Sequence, residues 1–338
     1  MKFSREICKG SVQMKKSIVT SSPPGVPPGV RPEASRKSFW FRFSRQLDLQ
    51  LMVIPAMILI VIFSYLPMYG VLMAFQDYDI FQGFLHSPWV GFKYFQMFFE
   101  APEFWTVMRN TIVISALRLL IGFPAPILLA LILNEVIHSR FKRMIQTISY
   151  LPHFLSWVIV SGFVTSMLAT DNGSVNMLLQ KLHLISEPVN FLSIPGYFWA
   201  ILIGTGIWKE IGFSGIVYLA AIAGINPEIY EAASIDGANR LKKIWYITLP
   251  GISGVVTIFM ILAVGDILSA GFEDILLLAK NPVLQDVSDV IDTYVYRVGI
   301  RNSLFSYAAA VGLFKSIISV FLLTVANRIA RKLGHSLW

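Results

Sequence analysis

Six apolar runs, near residues 49–75, 105–133, 144–168, 197–224, 251–270 and 305–327, decide what this chain can become. Each reaches the ~20 helical residues that a bilayer core requires. Hydrocarbon offers no water to the backbone, so such runs must close their own hydrogen bonds, and a helix does that within one segment. With 55% apolar and 14% charged residues and a mean hydropathy of +0.63, the chain is too apolar for an ordinary soluble domain. Residues 39–338 therefore read as an all-α integral membrane protein with six transmembrane helices. Pro55, Pro67, Pro124, Pro126 and Pro152 lie inside or at the ends of the runs and predict kinks.

Residues 1–38 differ. The Ser-Pro-Gly-Val-rich stretch 21–29 sits between basic residues and cannot bury a core, so a disordered cytoplasmic tail is expected. Met14 is an alternative start, and no cleavable leader is expected because the first 48 residues hold no apolar core of the needed length. The single Cys8 can form no internal disulfide.

Orientation follows from the basic residues. The segments before 49, 134–143, 226–250 and after 327 carry ten, three, three and three Lys or Arg, against one, one and three in 76–104, 170–196 and 271–304. Basic loops stay in the cytoplasm, so both termini and the 226–250 loop are placed there, in a multi-pass protein of the cell membrane. The net charge of +8 then reports topology and not nucleic-acid binding.

Catalytic signatures are missing. No phosphate loop, no paired His at metal spacing, no nucleophile elbow and no Cys cluster occurs; His86, His138, His153, His183 and His335 are scattered over both sides. An enzyme reading therefore has little to stand on, and without a phosphate loop the chain is not expected to hydrolyse ATP itself.

The polar interruption at 226–250 carries the most local information. Asn226 is a helix cap, Pro227 suits the first turn and Gly237 can take the left-handed conformation that ends a helix of about ten residues. So short a helix is marginal in water and needs a partner surface. The succession Glu231, Ala232, Ala233, then Gly237, then Ile247, Leu249 and Pro250 resembles the Glu-Ala-Ala loop of ABC-importer permeases. Asp236 before Gly237 is similar to the sugar-importing branch, and residues 65–79, 291–299 and 307–316 resemble permeases for alginate and other complex sugars.

That resemblance, which covers residues 39–338, implies the ABC type I importer permease fold. Its 226–250 loop would be a cytoplasmic coupling helix seated in a separate ATPase subunit. It further implies a second homologous permease, two ATPase subunits that bind the ATP and magnesium, an extracytoplasmic solute-binding protein and an oligosaccharide or polysaccharide-fragment substrate. The coupling residues it assigns are Glu231, Ala232, Ala233, Asp236, Gly237, Leu249 and Pro250. On the residues alone, Glu231 reads equally as a solvated charge and the Ala pair as helix propensity. A permease for peptides or amino acids, a secondary transporter and a membrane enzyme are the alternatives; the second lacks the expected internal repeat and the third a catalytic constellation.

Charges inside spans each cost ~2.5 to 3.5 kcal/mol at a helix centre, so they should face protein or a water-filled path. Trp208, Lys209, Glu210, Asp266 and Lys315 are the candidates for a translocation path, with Arg118 nearby in the same class. The competing reading is a buried ion-pair network. Trp208, Gly212 and Gly215 share one helix face, and Arg109 is expected only to snorkel. Three bases against two acids suggest a positive interior suited to an acidic sugar. Outside, Trp89, Phe92, Tyr94, Phe95, Phe98 and Phe99 form a ledge for lipid headgroups or for sugar, while Glu273, Asp274, Asp286, Asp289 and Asp292 make an acidic loop, either solvated or a docking surface.

Overall fold

The computed structural model describes residues 47–332 and 334, so the expected tail and His335 lie outside the described residues. The chain divides into two compact units at Pro67/Met68. Among the described residues the secondary structure is helical apart from one isolated pairing of Gln76 with Trp89.

The first unit contains α1 (Leu47–Ile60), the start of an apolar helical run, Gln50–Phe75, with none of its most apolar 18 residues buried. The second opens with the remainder of that run and then α2 (Lys93–Glu100), α3 (Phe104–Leu117), α4 (Pro124–Glu135), α5 (Ser139–Tyr150) and α6 (Trp157–Met167). It continues through α7 (Pro195–Ala223), α8 (Pro227–Ile235), α9 (Leu249–Gly265), α10 (Glu273–Leu278), α11 (Gln285–Ser288), α12 (Ile291–Tyr296) and α13 (Phe305–Lys332). Among the described residues five helices are long and apolar enough to cross a membrane, and six if the bent pair α5 and α6 counts as one span.

Three of the prolines share one device. A proline has no N–H and crowds the preceding turn. At Pro67, Pro124 and Pro250 the residue just before the ring reaches back five positions instead of four: Leu66 N–H to Val61 O, Phe123 N–H to Arg118 O at 2.8 Å and Leu249 N–H to Ile244 O. The wide turn absorbs the ring without breaking the span.

The third apolar run behaves differently from its reading as one span. After Pro152 the helix closes on a single tight turn, Leu155 turns extended, and Ser156 caps α6 by accepting from Ile159 N–H. The two halves meet at 104°.

Another correction concerns residues 271–304. They do not form a solvated acidic loop; they fold back as α10, α11 and α12 onto α3, α6, α7 and α13, burying Ile275, Leu284, Val290 and Ile291. A polar seam on α3 receives the segment. Arg109 and Asn110 donate to Asp286 O at 2.7 and 3.0 Å, Asn110 also donates to Asp289 O at 3.0 Å, and Thr111 Oγ1 accepts from Ile291 N–H at 3.0 Å. Arg109 therefore clamps backbone and does not merely snorkel. Three of the acids turn inward and pair with bases: Asp274 with Arg118, Asp289 with Arg297 and Asp292 with Lys315. Asp274 is only 3% exposed, a burial that a carboxylate tolerates when a guanidinium neutralises it.

The expected aromatic ledge is split. Tyr94 and Phe98 are buried in the cluster that joins α2 to α12 and α13, whereas Trp89, Phe92 and Phe99 stay exposed. Tyr94 donates to Asp77 Oδ1 at 2.5 Å. Burial, and secondarily this bond and the carboxylate's charge, push its phenol up to about 12, from an ordinary value near ~10. The folded state thus holds the proton longer than the unfolded chain, so this contribution is complete below about pH 10 and is lost as pH rises toward 12. Tyr94→Phe should remove that part of the alkaline loss of stability, read as the difference between the two melting curves in detergent; identical pH profiles would contradict it.

Candidate functional site

Two regions of the second unit can do mechanical or binding work, and the first is the hairpin between α7 and α9. Asn226 Oδ1 accepts from Glu228 N–H at 3.0 Å, Pro227 occupies the first turn, and Gly237 takes φ +73° after α8 ends. Ala238 N–H then bonds Ala233 O at 2.9 Å, using carbonyls that the helix end leaves free. Asn239 caps the next short helix, Arg240–Lys243, by accepting from Lys242 N–H at 2.9 Å.

The hairpin is tied to the spans at its base. Tyr230 OH and Thr248 Oγ1 lie 2.9 Å apart, with Thr248 buried, and Lys243 Nζ donates to Ser234 Oγ at 2.6 Å. Leu249 packs on the cluster of Ala130, Leu131, Tyr218, Ile222 and Ile252 at the foot of α4, α7 and α9. Pro250 stands at the start of α9 behind its wide turn.

The rest of α8 is left open. It buries none of its own residues; Glu231, Ala232, Asp236 and Gly237 are exposed and Ala233 is half-buried. Ile235 is 88% exposed, and Leu241, Trp245 and Tyr246 beside it are exposed too. A helix held firmly at both ends and bare along its length can pass a push to α7 and α9.

The second region lies where α7 crosses the bend between α5 and α6. Gly212 sits so close to α5 that an added Cβ would stand 2.1 Å from Ser149 O. Beside this crossing Lys209, 6% exposed, donates to His153 O at 2.9 Å and to Glu210 Oε1 at 3.0 Å, and its ammonium lies 5.5 Å from the Trp157 ring centre. Glu210 Oε2 meets His153 Nδ1 at 2.7 Å, and the imidazole stacks on Phe213 at 3.8 Å. Lys209 thus satisfies a carbonyl freed where the helix breaks, while Glu210 and His153 join the two helices from the other side.

Two neighbouring cavities flank this cluster. One, about 200 Å³, has Arg118, Trp157 and Glu210 on its wall; the other, about 380 Å³, has Phe213, Tyr218, Phe259 and Asp266. Gly122, Pro126 and Ser214 border both. Of the residues expected on a path, Glu210 and Asp266 line these cavities. Trp208 lines neither; it stays exposed and stacks on Phe163 of α6, whereas Gly212 and Gly215 approach Ser149 of α5 and Pro126 of α4. Lys209 is held behind the wall, and Lys315 lies apart with Asp292.

Reasoning from sequence missed His153, Asp274 and Asp292 as partners. The pairs Glu210–His153 and Arg118–Asp274 are separated by 57 and 156 positions, so no spacing rule brings them together. The excess of bases that suggested a positive interior also disappears, because Arg118, Lys209 and Lys315 each meet a carboxylate.

Comparison with known proteins agrees with this geometry. Residues 122–335 match the model of the family described as binding-protein-dependent transport system inner membrane component. The polygalacturonan/rhamnogalacturonan transport system permease protein YteP of Bacillus subtilis is 44% identical over 92% of this chain and 96% of its own length. Protein LplB of the same organism is 45% identical over 87% and 92%. Among solved structures, a chain from a bacterial ABC transporter involved in the import of the acidic polysaccharide alginate is similar at a TM-score of 0.80, with 41% identity, over 87% of this chain and 98% of that one. A chain from a bacterial alginate ABC transporter in complex with an alginate pentasaccharide-bound periplasmic protein gives a TM-score of 0.81 at 40% identity, over 88% and 99%. Relatives this similar, aligned along nearly their whole length, and a family match that takes in both the α7–α9 hairpin and the α5–α7 crossing make the chain a member of the binding-protein-dependent inner membrane components, an ABC transport permease and not an enzyme.

Proposed function

We propose that the chain is one half of the membrane pore of an ATP-driven, binding-protein-dependent importer of acidic oligosaccharides or polysaccharide fragments. The observation that carries the mechanism is α8: an exposed short helix, capped at both ends and bonded through Tyr230 to the foot of α9. The support for the substrate class is two of the most similar relatives, one named for polygalacturonan and rhamnogalacturonan and one for alginate.

In this reading Glu231, Ala232, Ala233, Asp236 and Gly237 meet an ATPase subunit. Ala232 and Ala233 permit close approach, and Glu231 offers a carboxylate to a basic group on that partner. Leu249 and Pro250 relay the movement into α9. Closure of two ATPases, each holding ATP and magnesium, moves α8 and alternates the side to which the cavities open. A second homologous permease supplies the other half of the pore, and a solute-binding protein delivers sugar from outside, with both termini in the cytoplasm. Coupling requires only that sugar affinity differ between the two access states.

The substrate path runs along the cavities lined by Glu210 and Asp266. Lys209 holds the α7 crossing beside them, Trp208 stacks on Phe163 away from them, and Lys315 holds the outer segment through Asp292. The excess-positive interior is not part of the proposal.

The test is uptake of galacturonate oligomers by vesicles holding this chain with its companion permease, ATPases and binding protein. Accumulation that requires ATP is expected. Equal accumulation without nucleotide, or labelling of a cysteine at position 231 from the outer face, would overturn the reading.

A further inference from the structure

The inward turn of Asp274, Asp289 and Asp292 leaves an opening in the outer segment walled by cations. A cavity of about 200 Å³ lies between α10, the turn after it, α11, α12 and the wide turn Arg297–Arg301. At ~30 Å³ per water this is room for about seven waters, close to a single pyranose ring.

Its charged lining is three cations, Lys280, Arg297 and Arg301, against the single carboxylate of Asp289. Asp289 is already held by Arg297 and by Thr293 Oγ1, which donates to Asp289 Oδ1 at 2.8 Å. The carboxylate on the back wall is thereby satisfied. Lys280 and Arg301 stand exposed at the rim, and neither has a hydrogen-bond or ion-pair partner among the described residues. Asn281 is fixed by donating to Ser193 Oγ at 2.8 Å and accepting from Val283 N–H at 3.1 Å, and the Tyr296 ring is set by edge contact with Phe272. Two free cations over a preorganised polar wall beside an aromatic ring match a sugar that bears a carboxylate.

We propose that this cavity is a subsite for one uronate ring of an acidic oligosaccharide, at the extracytoplasmic entrance of the permease. Lys280 and Arg301 hold the carboxylate, Gln285 and Ser288 meet hydroxyls, and Tyr296 offers its ring. This rests on the reading of the chain as an importer of acidic sugars. It adds a site outside the membrane spans, apart from the cavities at the α5–α7 crossing.

The experiment measures galacturonate trimer binding by calorimetry to the complete transporter in lipid nanodiscs without its binding protein, alongside the neutral galactose trimer. Lys280→Ala and Arg301→Ala should each weaken the acidic trimer by about tenfold, the loss expected for one charge-assisted contact, and leave the neutral trimer unchanged. Lys280→Arg and Arg301→Lys should bind within about twofold of wild type, since both rim positions are exposed and the charge is kept. Wild-type affinity in the alanine variants would overturn the subsite, as would an equal loss for both trimers. Weakened association of the ligand-free binding protein, with trimer binding unchanged, would make the cavity a protein-docking socket and also overturn it. ATP-driven uptake by the wild-type transporter is measured separately: its failure refutes the importer reading, whereas uptake with unaltered trimer binding in the variants refutes the subsite alone.

Discussion

Gly237→Pro and Glu231→Lys are expected to leave the chain inserted in the membrane at wild-type abundance while uptake falls to background. Insertion is set by the apolar runs, which neither substitution touches. Gly237 holds φ +73°, and a proline ring locks φ near −65°, so the reversal after α8 cannot form as it stands. The ring also removes the Gly237 N–H that bonds Ser234 O at 3.2 Å. Gly237→Ala is the control: its Cβ would meet nothing within 4 Å, and its strain of about 1 kcal/mol should leave transport largely intact.

Glu231 is exposed on the bare side of α8, so its reversal to Lys acts on the partner surface and not on the helix. Stimulated ATP hydrolysis in the assembled transporter should fall with uptake. Undiminished uptake with Glu231→Lys and with Gly237→Pro would sink the lever.

Gly212→Leu has the largest expected structural effect. An added Cβ would lie 2.1 Å from Ser149 O and 2.3 Å from Ser149 C, which are backbone atoms that no rotamer change can move aside. The helices α5 and α7 must separate, and the bond from Lys209 Nζ to His153 O must stretch with them. Overpacking of this kind costs up to about 3 kcal/mol, and exposure of the Lys209 ammonium to an unfilled site adds to it. We expect a lowered melting temperature in mild detergent and a reduced yield of folded protein. Gly215→Ala, three residues along the same face, would place its Cβ 3.6 Å from Pro126 O and should be tolerated. Equal melting of the two variants would contradict the crossing.

The hairpin between α7 and α9 was legible because its causes are local. A cap at Asn226, a ring at Pro227 and a left-handed turn at Gly237 all act within one or two turns of helix, and the structure places them as their chemistry requires. The membrane runs were legible for a similar reason, since length and apolarity are properties of a segment by itself. The third run shows where that logic stops. Residues 144–168 are as apolar as a span, yet the chain turns by 104° near Leu155. What holds the turn is Gly212 against Ser149, and Lys209 and Glu210 against His153, all on α7 some 50 positions later.

Residues 271–304 repeat the lesson with charge. Asp274, Asp289 and Asp292 look like solvated acids in a polar loop, because a sequence displays a carboxylate without its counterion. Their bases Arg118, Arg297 and Lys315 come from a span, a neighbouring turn and the last helix.

From its sequence alone this protein was bound to be helical, to lie in a membrane and to carry a capped helix between its fourth and fifth apolar runs, because backbone satisfaction in lipid and helix-end chemistry depend on residues close together in the chain. Only the tertiary structure decided where the third run breaks, which charges neutralise one another and which cations stand free at the rim of the cavity between α10 and α12. Those outcomes depend on which atoms from distant segments come within hydrogen-bond reach, a property of packing that no local pattern of residues encodes.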